Sequence, residues 1–233
     1  MASVNDHHKV DERIESVHDY WIDPSSREIW FHGVDVSSSE GEWEEPGVEF
    51  IMANKVIKNL HYLRKQSSRA GVTIHLHTCG GMVSDGFAIY DTIRLMPYPV
   101  TIISYTYARS MSSIILQAAA GQYDTRLLMP SSYFMFHYGS METGGHAKAV
   151  YSDVEFAKKY DDLMLNVYVE SAKRGKKFKG MTEAKIRKIL IDQMNQKCDV
   201  YLTAEEAVEW GFADGILDSW PDNSRWRTLK KSE

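Results

Sequence analysis

Two cysteines, Cys79 and Cys198, are all that the 233 residues contain, so no disulfide framework organises the fold. No apolar run approaches the roughly 18–20 residues that a helix needs to cross a bilayer. The opening M-A-S-V-N-D-H-H-K-V-D-E-R lacks the apolar stretch of a signal peptide. A soluble, cytoplasmic protein with no membrane contact is the expectation. Basic charge is short as well: 27 Lys and Arg against 32 Asp and Glu leave a formal charge of −5. That argues against nucleic acid as a partner, because phosphate binding needs concentrated Lys and Arg. The longest basic stretch, 225–231, reads as a solvated terminus. Internal repeats and low-complexity tracts are absent, and no G-x-x-x-x-G-K-[ST] phosphate loop occurs, so any use of ATP is assigned to a partner.

What is present suits one sizeable domain. Apolar residues make up 43% of the chain and include six Trp and thirteen Tyr, ample material for a core. The expected organisation is a polar, flexible segment over 1–20, one domain over 21–220 and a polar tail over 221–233. Strand patterns fall at 28–32, 72–77, 100–104, 127–129 and 133–136. An acidic surface loop is expected over 34–47. Ala53, Val56, Ile57, Leu60 and Leu63 recur at helical spacing. Further helices are predicted over 84–96, ended by Pro97 and Pro99, over 114–120, ended by Gly121, and over 182–194. A longer one carries Phe156, Tyr160, Leu163, Met164 and Val167. Thr203 and Glu206 make a capping box for a last helix that Gly211 closes. Strands alternating with helices, several strands apolar throughout, imply an α/β core with parallel strands.

The chemistry centres on Y-T-Y-A-R-S-M-S-S, residues 105–113, between a strand and a helix. Such a junction exposes a side chain and aims free backbone N–H groups at the same spot. Ser110 there can act as a nucleophile if a base reaches it, if an acid orients that base, and if an anion pocket lies alongside. His137 ends the apolar run Y-F-M-F-H, although a histidine that merely caps a strand looks the same. Asp199, in K-C-D-V-Y-L-T-A-E-E, reads alone as a turn residue. Gly80-Gly81 permits close approach of backbone to a substrate oxygen, yet paired glycines are often only a turn. His75 and His77 share a strand face but lack a third ligand at a sensible spacing, and they read as polar strand positions. His7 and His8 make a poor chelate, so no metal is expected.

Together these parts resemble the Clp protease proteolytic subunit family, ClpP. Ser110-Met111 opens a helix. Arg126, L-L-M, Pro130 and S-S-Y-F-M-F lead to His137. Asp199 is followed by Tyr201-Leu202-Thr203-Ala204-Glu205-Glu206 and by Gly211-Phe212-Ala213-Asp214. The Gly-Gly turn precedes a helix containing A-I-Y-D-T. The likeness runs over about 28–217, with an acidic insert near 37–47. It implies a ClpP/crotonase-like α/β fold: repeated β-β-α units, a parallel sheet core and a protruding handle helix. It implies Ser110 as nucleophile, His137 as general base then acid, and Asp199 as orienting acid. The amides of Gly81 and Met111 would form the oxyanion hole, where losing one donor costs on the order of 3 kcal/mol of barrier. Extended peptide would bind along Gly80, Tyr138, Gly139 and Ser140, by pairing with a glycine-bearing strand over 139–145. The expected assembly is a homo-oligomer of stacked heptameric rings, with the helix over 151–174 between them. It would receive unfolded polypeptide from an AAA+ unfoldase, with no cofactor of its own. Thr106, Arg109, Ser112, Tyr138-Gly139 and Cys79 depart from the family pattern. Other readings are a phage-type protease processing capsid precursors, a crotonase-fold acyl-CoA enzyme, and an inactive ring or adaptor subunit. Cys79 and Cys198 each adjoin a proposed site residue, so oxidation of either is expected to dampen activity.

Overall fold

The computed structural model describes residues 4–32 and 47–219; the acidic stretch at 34–46 and the basic stretch at 225–231 fall outside them. Within the polar opening, Val4–Tyr20 form helix α1. Its end is fastened by contacts that no local pattern announces. Ser16 Oγ donates to Ile22 O at 2.9 Å, while Lys55 and Asn59 donate to Asp19 O and Tyr20 O at 2.8 Å each. Strand β1 (Ile22–Asp23) turns back on β2 (Glu28–His32). Helix α2 (Phe50–Gln66) starts under Glu49, whose carboxylate accepts the Ile51 and Met52 N–H groups at 2.7 Å each. Its face of Met52, Val56, Leu60 and Leu63 is buried. Strand β3 (Val72–His77), helix α3 (Val83–Arg94) and strand β4 (Val100–Ser104) follow as crossover units.

The next segment differs from the expectation. A separate strand β5 (Tyr107–Arg109) stands between β4 and Ser110, and helix α4 is Met111–Leu116 rather than 114–120. It starts early because the Ser112 and Ser113 hydroxyls turn back onto the Arg109 and Ser110 carbonyls, at 2.8 and 2.6 Å. At its far end, Gln117 N and Ala118 N bond three residues back, which tightens and ends the helix. Gly121 is therefore no terminator; Asp124 Oδ2 accepts its N–H at 2.6 Å in a turn.

Strands β6 (Thr125–Leu128) and β7 (Tyr133–Phe136) lead to helix α5 (Ala147–Ala172), and a 3₁₀ turn at Lys176–Phe178 precedes α6 (Glu183–Lys197). Strand β8 (Val200–Thr203), helix α7 (Ala204–Trp210) and strand β9 (Gly215–Ile216) complete the described chain. The capping box of Thr203 and Glu206 is formed, and Gly211 closes α7 in the left-handed conformation at φ 85°. Six strands form one sheet in the order β1-β2-β3-β4-β6-β9, parallel except for β1 against β2. Three more form a second sheet, β5-β7-β8, in which β5 and β7 are parallel and β8 is antiparallel. This is the mixed α/β architecture, rich in parallel pairing, that the alternation predicts. In α5 the buried residues are confined to the second half, Met164 to Ala172, whereas Tyr151, Val154 and Phe156 lie exposed on the first.

His75 is held on the sheet face. It stacks on Trp30 with ring centres 5.0 Å apart, and its Nδ1 lies 2.9 Å from Tyr105 Oη. Among the described residues, no three His, Cys, Asp or Glu side chains are grouped to hold a metal. His75 Nε2, 3.8 Å from Glu28 Oε1, is the main influence holding the Glu28 carboxyl below its ordinary value of 4.5; Ser26 Oγ, donating to Oε2 at 2.9 Å, acts the same way against burial. A depressed carboxyl contributes stability above its unfolded pKa and loses it as pH falls through the folded value. Glu28→Gln is therefore expected to flatten the acid side of the stability–pH curve below about pH 4.5, as read by urea midpoints, with little change in slope near neutrality.

Candidate active site

Strand register brings distant residues together. β5 and β7 run parallel with Arg109 beside Met135, so the next residues out, Ser110 and Phe136, lie side by side. β7 and β8 run antiparallel with Phe136 beside Val200, which sets His137 next to Asp199. The small second sheet thus delivers Ser110, His137 and Asp199 to one edge. His137 Nε2 lies 2.9 Å from Ser110 Oγ, and His137 Nδ1 lies 3.0 Å from Asp199 Oδ1. Nδ1–H donating to the carboxylate leaves the Nε2 lone pair to accept the Ser110 O–H, the arrangement a general base needs.

The backbone at Ser110 has φ 52° and ψ −128°, a region that costs a non-glycine residue about 1–3 kcal/mol. Neighbouring contacts hold it there. Ser112 Oγ accepts the Arg109 N–H and donates to the Arg109 carbonyl, both at 2.8 Å. Ser113 Oγ donates to Ser110 O at 2.6 Å and meets the Tyr168 hydroxyl of α5 at 2.8 Å. Burial pushes the Tyr168 hydroxyl pKa well up, so this phenol stays neutral and available for hydrogen bonding. Beside Asp199, Cys198 has φ 57°, and Asp199 N–H closes a tight turn on Lys197 O at 2.7 Å. That turn stops α6 and aims the Asp199 carboxylate at the imidazole.

The second wall is the loop 79–81 between β3 and α3. Gly80 and Gly81 have φ 109° and 141°, where only glycine sits without strain. Val48 N–H donates to Gly80 O, and Met82 N–H donates to Val48 O at 2.8 Å. This bridge makes no use of the Gly81 N–H. Met111 is the first residue of α4, so its N–H has no acceptor within the helix. A Cβ on Gly80 would stand 2.8 Å from Ser110 Cβ and 2.9 Å from both Arg109 O and Met111 N. The loop is thus seated directly on the Ser110–Met111 peptide. Gly80→Ala is expected to lower peptide hydrolysis at least about tenfold by lifting the loop off that peptide. Steady-state kinetics beside a thermal-melt control checks it.

Of the residues expected to line the peptide, Tyr138 is half-buried, whereas Gly139 and Ser140 are exposed. Burial, with Asp161 and Asp162 nearby, raises the Tyr138 hydroxyl pKa. Gly139 N–H donates to Asp161 Oδ1 of α5 at 2.9 Å. The stretch 139–145 carries no strand, because a strand is defined by pairing and this stretch has no ladder partner among the described residues.

Residues 45–220 match the family model described as Clp protease. The chain belongs to the Clp protease family. A relative from Dehalococcoides mccartyi, an ATP-dependent Clp protease proteolytic subunit, is 31% identical over 74% of this chain and 78% of its own. One of the same name from Deinococcus radiodurans is 29% identical over 76% of this chain and 79% of its own. A proteolytic subunit 1 from Streptomyces avermitilis is 29% identical over 75% and 74%. Clp protease membership makes this a ClpP-type protease of the serine peptidase class with the ClpP fold. No helix among the described residues is long and apolar enough to cross a membrane.

Several residues around this candidate site have contacts that the sequence did not reveal. Ser112 and Ser113 brace the Ser110 backbone, and Tyr168 braces Ser113; the run S-M-S-S hinted at the first two, but nothing local marks Tyr168. Arg126 and Asp214 both stand in the quoted motifs, yet their pairing at 2.8 Å is visible only in three dimensions.

Proposed function

We propose that the chain is a serine endopeptidase in which Ser110 attacks the scissile carbonyl, His137 takes its proton and returns it to the leaving amine, and Asp199 orients and stabilises the imidazole. One observation carries this reading: the two ring nitrogens of His137 lie within hydrogen-bonding distance of Ser110 and Asp199 at once. The amides of Gly81 and Met111 are proposed to hold the tetrahedral oxyanion, supported by the close seat of Gly80 on the Ser110–Met111 peptide. Tyr138, Gly139 and Ser140 are proposed to border extended, unfolded polypeptide. An acyl-CoA enzyme would need only the two amides, which leaves the Ser110–His137–Asp199 chain without a task.

The working unit is proposed to be a ring assembly fed by a separate AAA+ ATPase. The relatives' name, ATP-dependent Clp protease proteolytic subunit, supports that partnership. Association through α5 is supported by its exposed Tyr151, Val154, Phe156 and Leu163, an apolar load beyond what a solvated helix needs. Fluorophosphonate labelling tests the chemistry: a single adduct on Ser110 by mass spectrometry is the expected result. A folded, assembled protein that takes no label would overturn it. Native mass spectrometry of the same sample reports assembly.

A further inference from the structure

Arg109 has no role in the chemistry above, yet it joins the two walls of the site. Its Nε donates to Cys79 O at 3.3 Å, and its guanidinium carbon lies 4.6 Å from the centre of the Tyr107 ring. One end of this contact is the strand that runs into Ser110. The other is the residue just before Gly80 and Gly81. We propose that Arg109 is a positioning residue that sets the Gly80–Gly81 loop, and with it the Gly81 amide, over Ser110. The inference rests on reading Ser110 as nucleophile and the Gly81 N–H as an oxyanion donor.

Two successive glycines form the most conformationally free backbone a loop can have, and an oxyanion donor is effective only when held in place. Cys79 leaves φ unrestrained ahead of them, as a proline would not. On the far side, the loop is tied to Val48 through Gly80 O and the Met82 N–H. On the side facing the nucleophile, the Arg109 side chain is tied to it through Cys79 O. A guanidinium suits the task. It is a flat fork, and lying against Tyr107 fixes its plane and therefore the direction of the Nε–H. The backbone end is equally fixed, because Ser112 Oγ engages both the N–H and the carbonyl of Arg109 at 2.8 Å. The bond ends on a main-chain carbonyl, so its effect is independent of the substrate's side chains.

The test compares Arg109→Ala and Arg109→Lys with the unmodified chain on peptides that differ only in the charge of the residue before the scissile bond. Arg109→Ala is expected to lower kcat by on the order of tenfold to a hundredfold, with KM within about twofold. The same factor is expected for acidic, neutral and basic peptides. Affinity for a peptide aldehyde, which forms a tetrahedral adduct, is expected to fall in parallel with kcat/KM. Arg109→Lys keeps the charge but lacks the planar fork and is expected to restore little of the loss. It also supplies the comparison should the alanine variant fold poorly, with thermal midpoint and native mass as controls. An unchanged kcat in either folded variant overturns the proposal. So does a loss carried in KM that follows substrate charge, which would make Arg109 a substrate contact. Hydrolysis by Ser110→Ala within about tenfold of the parent overturns the mechanism itself, a result distinguishable from both.

Discussion

Ser110→Ala is expected to lower kcat for peptide hydrolysis by on the order of 10⁶-fold and to abolish fluorophosphonate labelling. Under the proposed mechanism the hydroxyl is the only group that forms the covalent intermediate. What survives its loss is oxyanion stabilisation and binding, worth roughly 10³–10⁴ over water. The substitution removes a 2.9 Å hydrogen bond from a half-buried position and leaves the strained backbone in place. Its effect on stability is therefore expected to stay within about 1 kcal/mol. The contrast between the two magnitudes makes the measurement decisive. Peptide hydrolysis within tenfold of the parent, in a preparation free of any active homologue, would show that another group attacks the carbonyl.

Asp214→Ala is expected to destabilise the fold by about 3–5 kcal/mol, the largest structural effect we predict. Arg126 is fully buried. Asp214 accepts from its Nη2 at 2.8 Å, its Nε at 3.1 Å and its backbone N–H at 2.9 Å. Gln117 Oε1 accepts from Nη1, while Gln117 Nε2 donates to Ser113 O and Phe212 O at 3.1 and 3.0 Å. This network joins β6, the end of α4 and the chain beyond α7 behind Ser110. Removing the carboxylate leaves a guanidinium in the core without its counter-charge. Replacing both partners, as in Arg126→Met with Asp214→Leu, removes that penalty and is expected to recover most of the loss. Thermal and urea unfolding of the single and double variants checks this. Equal destabilisation of both would mean that shape, rather than uncompensated charge, dominates at this position.

The local rules that succeeded were those whose causes lie within a few residues. The capping box at Thr203 and Glu206 and the left-handed Gly211 are formed because both depend on neighbouring backbone alone. Strands at Glu28–His32, Val72–His77, Val100–Ser104 and Tyr133–Phe136 coincide with their apolar patterns. Elements that no local pattern announced depend on partners far along the chain. β5 is three residues long and exists because β7 offers it a ladder. Helix α1 is polar, and its end is held by Lys55 and Asn59.

For the candidate site, motifs that a resemblance tied together named Ser110, His137, Asp199 and the glycine pair, and the first three lie within hydrogen-bonding reach of one another along the chain Ser110–His137–Asp199. Composition and spacing alone left His137 indistinguishable from a strand cap and Asp199 from a turn residue. Sequence by itself determined which side chains with the right chemistry the chain carries and where strands and helices alternate, because propensity and capping act over short distances. Only tertiary structure decided which of them meet. Register in the β5-β7-β8 sheet and the tie from Arg109 to Cys79 are set by pairings across tens of residues, and no local pattern encodes those.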